Sequence, residues 1–357
     1  MKDKKEKIAS IVQPLLAWYG ENKRDLPWRG TADPYQVWVS EIMLQQTRVA
    51  AVMPYYRRWM DELPTAEALA AVEESRLMKL WQGLGYYSRA RNLQRAAQVI
   101  VNELDSCFPD TYEGLLRLPG VGDYTAGAIA SIAFGQPVPA VDGNVLRVAA
   151  RAANMDGDIM DPKVRRTFRE VMESAMPPRH PGAFNQALMD LGATVCLPNG
   201  APLCGQCPLV GLCEANRLGL QAVLPVRRKK TARRTEEMTV FLLLREGRIA
   251  LRRRPDQGLL AGLWEFPHVP GKLGESAAAQ ALSAWGLTPM DWRRKLDAKH
   301  IFTHVEWHMT GYLLTAGGAD GGFTWADRAE LEELAVPSAF AKYLEEARLA
   351  LEGRRGT

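Results

Sequence analysis

Cys196, Cys204, Cys207 and Cys213 are four of the chain's five cysteines, and they fall within eighteen residues in the pattern C-x7-C-x2-C-x5-C. Four thiolates this close in sequence can converge on one centre, either tetrahedral zinc or an iron–sulfur cluster. Pro198, Asn199, Gly200, Pro202, Gly205 and Pro208 make the stretch a turning loop with little side-chain bulk to bury, which argues against four scattered core cysteines. A disulfide framework does not suit a long chain otherwise almost free of cysteine.

Two carboxyls form a second constellation. Glu41 is the only charged residue between Tyr35 and Thr47, where its neighbours include Val37, Trp38, Val39, Ile42, Met43 and Leu44. Asp33-Pro34 supplies a helix start just before it, aspartate as cap and proline as first residue. A carboxyl in such company should titrate high, as a general acid requires; standing alone, it would read as the edge of an amphipathic face. Asp142 follows the extended run Pro137-Val138-Pro139-Ala140-Val141 and opens a helix. It is an ordinary N-cap by position, but a carboxylate there is also expected to stay ionised in the helix dipole. One acid kept protonated by burial and one kept charged by a helix end is a common way to break a glycosidic bond. Between them lies Leu118-Pro119-Gly120-Val121-Gly122, which has the form of a helix–hairpin–helix turn. Its glycines let backbone amides and the next helix N-terminus approach a phosphate; alone, it is equally a tight turn between packed helices. His300, His304 and His308 would suit a metal only on a helix. Their segment alternates like loop running into strand, where four residues span ~13 Å, so no metal is expected there.

These groups need elements to hold them. As far as about residue 220 the pattern is helical, with Ala-rich amphipathic segments at 66–71, 90–101, 125–134 and 145–153, and no β-branched alternating run. Arg227-Arg228-Lys229-Lys230-Thr231-Ala232-Arg233-Arg234 carries six basic residues in eight, readable as a nucleic-acid strap, a solvated linker or both. Beyond it come a hairpin (238–244 and 248–252, turned at Glu246-Gly247), a strand at 306–314, and helices at 276–285 and 327–334. The last dozen residues are expected to be loose. The 357 residues exceed one ordinary core, so two domains are expected. A net charge of +4 permits a polyanionic partner. The charged N-terminus has no signal-type apolar core behind it, and no stretch reaches the roughly 20 apolar residues of a membrane span. Together with the thiol usage this predicts a reducing, cytoplasmic setting.

With these residues in view the chain resembles the MutY-type adenine DNA glycosylases, which share the helix–hairpin–helix superfamily with the endonuclease III group. The resemblance rests on residues 38–47 (WVSEIMLQQT), 82–89 (QGLGYYSR), 118–125, 141–145 (VDGNV) and the four cysteines. It implies an all-α glycosylase domain over 1–225 (helix–hairpin–helix near 112–134, iron–sulfur loop 196–213), a basic linker over 226–236 and a smaller α+β Nudix-like domain over 237–350. The implied reaction is excision of adenine mispaired with 8-oxoguanine or guanine in double-stranded DNA, leaving an abasic site. Glu41 would protonate the flipped base and Asp142 would stabilise the oxocarbenium-like sugar, with Tyr124 and Asn144 at the same centre. Arg24, Trp28 and Gln186 would line the pocket of the extruded base. Gln46 and Tyr86 would wedge into the duplex, Thr47 and Leu84 would lie near the 8-oxoguanine, and Gly120 and Gly122 would form the hairpin. The four cysteines would hold a [4Fe–4S] cluster.

Two features separate this reading from its rivals, Tyr124 and the stretch 277–286, and two depart from the family's usual pattern, Thr303 and the first cysteine spacing. Tyr124 stands where bifunctional relatives carry a Schiff-base lysine, so a monofunctional enzyme is expected. The stretch 277–286 (AAAQALSAWG) lacks the glutamates by which Nudix hydrolases hold magnesium, so its domain is expected to recognise 8-oxoguanine through Phe302-Thr303-His304, with threonine in place of the usual serine. The first cysteine spacing is one residue longer than usual, a bulge expected within 197–203. The enzyme is expected to be monomeric, bacterial in type and associated with no membrane. An endonuclease III-like oxidised-pyrimidine glycosylase is the runner-up, then a non-catalytic iron–sulfur DNA-binding protein; nucleotide hydrolysis ranks last.

Overall fold

A computed structural model describes residues 1–198, 200–228 and 233–353. The chain divides into two compact units, Met1–Val72 with Arg91–Lys229, and Glu73–Ala90 with Lys230–Thr357. Helices fill the first unit: α1 (Lys2–Asn22), α2 (Pro34–Leu44), α3 (Val49–Glu62) and α4 (Ala66–Ala71) precede the excursion into the second unit. That excursion carries α5 (Glu74–Trp81) and the start of α6 (Ser88–Glu103). Then follow α7 (Tyr112–Leu115), α8 (Asp123–Ile132), α9 (Gly143–Ala152), α10 (Pro162–Glu173), α11 (Pro181–Thr194) and α12 (Glu214–Leu218).

Short polar caps start the helices that carry chemistry. Asp33 accepts the Tyr35 amide at 2.9 Å ahead of Pro34, and Asp142 accepts the Val145 amide at 2.8 Å. Each satisfies an N–H that the first turn leaves unpaired, worth about 1 kcal/mol. The core lies where α1, α9, α10 and α11 meet, around Ile11, Leu15, Val148, Phe168, Phe184 and Leu188. Every residue of α9 from Val145 to Ala152 is buried, including Arg147 and Arg151. A side chain on Gly192 of α11 would meet Asn144 Cβ at 2.6 Å, so its lack of one lets α11 close on the first turn of α9. The expected helix at 125–134 begins two residues earlier and ends at Ile132, because Asp123 and Tyr124 already continue from the Gly122 cap.

The second unit is built on a mixed sheet ordered β3-β2-β1-β6-β5. Its strands are β1 (Arg234–Arg245), β2 (Arg248–Arg253), β3 (Trp264–Glu265), β4 (His268–Pro270), β5 (Leu287–Ile301), β6 (Val305–Gly318) and β7 (Thr324–Ala326). β1 and β6 run parallel, and β4 and β7 pair antiparallel with β1 and β2. Helix α13 (Glu275–Ala284) covers one face, packing on Phe241, Leu243, Tyr312 and Leu314. Helices α14 (Arg328–Glu333) and α15 (Ala341–Leu351) cover the other, against Val240, Leu242 and Leu313. Lys79 donates to Leu334 O at 3.3 Å and Gln82 to Val336 O at 2.7 Å, which ties α5 to this unit. The expected hairpin is present: Glu246 and Gly247 both have positive φ, as a two-residue turn of matching twist requires.

Two expectations are corrected. The segment before Phe302 is the fifteen-residue strand β5, so His300 sits in a strand opposite Trp307 rather than in a loop. Its alternation was obscured by the charged run Arg293-Arg294-Lys295 on a sheet edge. The last dozen residues are not uniformly loose, for α15 runs to Leu351 and buries Tyr343, Leu344 and Ala347 against the sheet. Arg354–Thr357, the middle of the basic strap (Lys229, Lys230, Thr231, Ala232) and Asn199 in the expected bulge lie outside the described residues.

Candidate active site

Helix α2 brings Glu41 into the first unit with 6% of its surface exposed. The Tyr124 hydroxyl, from the second residue of α8, donates to Glu41 Oε2 and lies 3.8 Å from Met189 Sδ. Burial pushes the Glu41 carboxyl above its ordinary range; the Tyr124 donor and the Arg29 charge oppose this, and the Asp142 charge adds to it. Burial likewise drives the Tyr124 phenol well up, so it remains a proton donor. The proton belongs on this pair.

Asp142 is fixed by Val145 N–H at 2.8 Å and by Asn144 Nδ2 at 2.8 Å. At this carboxyl burial acts against the helix end. Burial raises it, and the Val145, Asn144 and Arg147 contributions offset only part of the rise. The two carboxyls also feel each other. Both therefore shift in the same direction, for desolvation exceeds a single turn of helix dipole. Geometry still separates them in degree, because one donor, the Tyr124 phenol, favours ionised Glu41 while Val145 N–H and Asn144 both favour ionised Asp142.

Asn144 Oδ1 in turn accepts from Arg147 Nη2 at 2.8 Å, and Arg147 Nε donates to Cys196 O at 2.7 Å. One turn on, Arg151 Nη1 reaches Cys196 Sγ at 3.2 Å and Leu197 O at 3.0 Å. Helix α9 thus joins the Asp142 end of the site to the cysteine loop. All four cysteines line one cavity with Arg151 and Val195. Burial, with smaller contributions from the other sulfurs, pushes the Cys207 thiol up to about 11 and raises that of Cys213. Among the described residues no three His, Cys, Asp or Glu side chains are grouped as ligands of a single metal ion. Leu203 N–H returns to Val195 O at 2.9 Å.

Of the three expected pocket residues, each has an internal partner. Trp28 is 3% exposed and packs edge-on against Tyr56, with ring centroids 5.1 Å apart. Arg24 pairs with Asp190 (Nε to Oδ1 2.9 Å), and Gln186 accepts from Tyr19 Oη at 2.7 Å. The residue that connects them escaped the sequence reading. Arg29 reaches Asp190 Oδ1 at 2.9 Å through Nη2 and Tyr19 Oη at 3.0 Å through Nη1, while its buried Nε has no hydrogen-bond partner among the described residues. Its charge reaches both Glu41 and Tyr124. The only advance signal was a second arginine just past Trp28 in Arg24-Asp25-Leu26-Pro27-Trp28-Arg29.

The expected DNA contacts fall in several segments. Gly120 has φ +74°, and a Cβ there would meet Asn92 Cβ at 2.6 Å; Gly122 caps α8. Gln46 (φ 59°) and Tyr86 (φ 47°) both adopt left-handed backbone and are exposed, a conformation that non-glycine residues keep only where the fold imposes it. Thr47 is half-buried and Leu84 only 6% exposed, so Leu84 does not present itself at the surface. Within the second unit, Tyr86 Oη and Thr303 Oγ1 are 2.7 Å apart. Phe302 is gripped between His300 and Trp307 at centroid distances of 4.6 and 4.8 Å, and His304 is exposed beside it.

Helical fold, hairpin and paired acids define a class: the HhH-GPD superfamily of base excision DNA repair proteins, whose model matches residues 39–174, with a NUDIX domain model matching 239–346. A human adenine DNA glycosylase is 38% identical over 94% of this chain and 73% of its own length. The chain belongs to the adenine DNA glycosylases. Among solved structures, a thermostable thymine-DNA glycosylase (29% identical, TM-score 0.53) covers 60% of this chain and 98% of its own, and an endonuclease III–DNA covalent intermediate (24% identical, TM-score 0.52) covers the same shares and shows the fold.

Proposed function

We propose that this chain hydrolyses the N-glycosidic bond of adenine paired with 8-oxoguanine or guanine in duplex DNA, with no lyase step. The observation that carries the reading is the Tyr124–Glu41 hydrogen bond, with Asp142 as the N-cap of α9. Glu41, whose burial favours the protonated form, donates its proton to a ring nitrogen of the flipped adenine. The C1′–N9 bond then breaks with its electron pair leaving on the base. Asp142, held by Val145 and Asn144, stabilises the positive sugar. Water adds at C1′ and its proton passes to a carboxylate, so the products are adenine and an abasic site. Tyr124 has no amine and forms no imine, so the strand is left uncut.

Arg29, Arg24 and Gln186 would border the extruded base, with the orphaned Arg29 Nε available to it. Gln46 and Tyr86 would enter the duplex, and Phe302-Thr303-His304 would meet the 8-oxoguanine. A [4Fe–4S] cluster suits the cysteine centre, since Arg147 and Arg151, 7% and 4% exposed, are cations whose burial an anionic thiolate cluster would offset. Cys196, Cys204, Cys207 and Cys213 would hold it; when bound it supplies a rigid crosslink of the 196–213 loop rather than redox chemistry for the reaction.

An end-labelled duplex carrying adenine opposite 8-oxoguanine, with adenine opposite thymine as control, tests this under single turnover. Cleavage at the mispaired adenine only after alkali is expected. Cleavage without alkali would revive a bifunctional enzyme, and none at all, with the iron content verified, would leave a DNA-binding protein.

A further inference from the structure

Arg169 lies on α10 and meets the residue that directly follows the hairpin. Its Nη1 is 3.0 Å from Asp123 Oδ1 and also donates to Tyr112 Oη. The Tyr112 hydroxyl donates to the same Asp123 oxygen at 2.6 Å, and the guanidinium carbon stands 4.5 Å from the Tyr112 ring centroid. Helices α7, α8 and α10 therefore converge on a single nitrogen of this arginine. Among the described residues its Nε and Nη2 carry no hydrogen bond, and its side chain is 25% exposed. Those two nitrogens form the edge of the guanidinium that suits an oxyanion in bidentate fashion.

Stability is a weak reason for such an arrangement. An ion pair with an Asp123 side chain that is 78% exposed contributes little. Asp123 also stands at the first position of α8, beside amides that would face a phosphate, where a bare carboxylate opposes the ligand. A carboxylate there is tolerable for DNA binding if it serves to hold a cation at that place.

We propose that Arg169 is a phosphate-contacting residue of the hairpin grip, with Asp123 and Tyr112 as its positioning residues. The duplex backbone is then taken by the hairpin amides and this guanidinium together. The inference rests on the reading of the chain as a DNA glycosylase. It goes beyond that reading by adding a contact from α10, outside the hairpin.

The test is the salt dependence of binding by the full-length protein, measured by fluorescence anisotropy on a fully paired duplex and on one with adenine opposite 8-oxoguanine under conditions that prevent turnover. Each phosphate contact contributes about −0.9 to the slope of log affinity against log salt. Arg169→Ala is expected to bind both duplexes roughly tenfold more weakly at low salt, with the slope shallower by about 0.9. Arg169→Lys, which keeps the charge, should retain most of the slope. An unchanged slope in Arg169→Ala, whatever the affinity, overturns the proposal, as does a loss confined to the mispaired duplex. If Arg169→Ala does not melt as a folded protein, Arg169→Gln reads the same slope with the stem in place. A parent protein that binds duplex steeply with salt yet excises no adenine would defeat the glycosylase reading and leave this comparison readable.

Discussion

Glu41 shows how one carboxyl can be worth more to chemistry than to the fold. It sits on α2 with Val37, Trp38 and Met43 buried around it and Tyr124 as its donor. Its folded-state pKa is raised by burial, so between the unfolded and folded values the native chain holds the extra proton. Its contribution to stability is therefore full below the unfolded value and is lost as pH rises through the folded one. Glu41→Gln removes that liability; it should raise Tm at pH 7.5, with the gain shrinking toward pH 4. The same substitution should lower single-turnover excision by at least about 10²-fold while duplex binding persists. A Glu41→Gln protein that is both active and no more stable would contradict this account of the residue. For the same reason, excision by the parent should fall on the alkaline side as Glu41 loses its proton, and a rate that climbs steadily with pH would speak against an acid role.

At the scale of elements, α9 does the joining. Asp142 caps it, Asn144 lies in its first turn, and Arg147 and Arg151 run down the side facing the cysteine loop. Arg147 holds Asn144 Oδ1, Gly192 O at 2.7 Å and Cys196 O together, so one substitution disturbs both ends. Arg147→Gln should destabilise by about 2–3 kcal/mol through its unpaired acceptors and slow excision, read by melting, iron content and single-turnover rate together. Normal values in all three would show α9 to be a passive scaffold. The hairpin element has its own test. Gly120 combines φ +74° with close approach to Asn92, so Gly120→Ala should weaken duplex binding of every sequence alike.

For the whole molecule, the informative fact is where the chain divides. Residues 73–90 belong with the C-terminal sheet, tied by Lys79 and Gln82 to the carbonyls of Leu334 and Val336, and Tyr86 shares a hydrogen bond with Thr303. A chain cut at Lys229 therefore loses partners of α5 as well as Phe302-Thr303-His304, which we propose meets the 8-oxoguanine. It should excise adenine opposite 8-oxoguanine and opposite guanine at rates differing far less than in the full chain, and it should melt lower. A truncation with unchanged discrimination would place opposite-base reading in the helical unit. Across the described residues no helix is long and apolar enough to cross a membrane.

The local features were legible from residue types alone. Asp33-Pro34 starts a helix, Gly120 and Gly122 turn one, Glu246-Gly247 turns a hairpin, and the cysteine spacing marks a shared centre, because caps, φ preferences and thiol spacing act within a few residues. The burial of Glu41 was suggested by its neighbours in sequence, but its partner was not, nor was the burial of Asp142. Glu41 finds Tyr124 eighty-three positions away, and Asp142 is desolvated more than its helix end can offset. Arg29, Asp190 and Tyr19 form a network whose members are up to 171 positions apart, and Arg169 meets Asp123 across 46. Burial and long-range pairing are properties of the packed chain. Only tertiary structure decides which charges lose water and which partner each then finds.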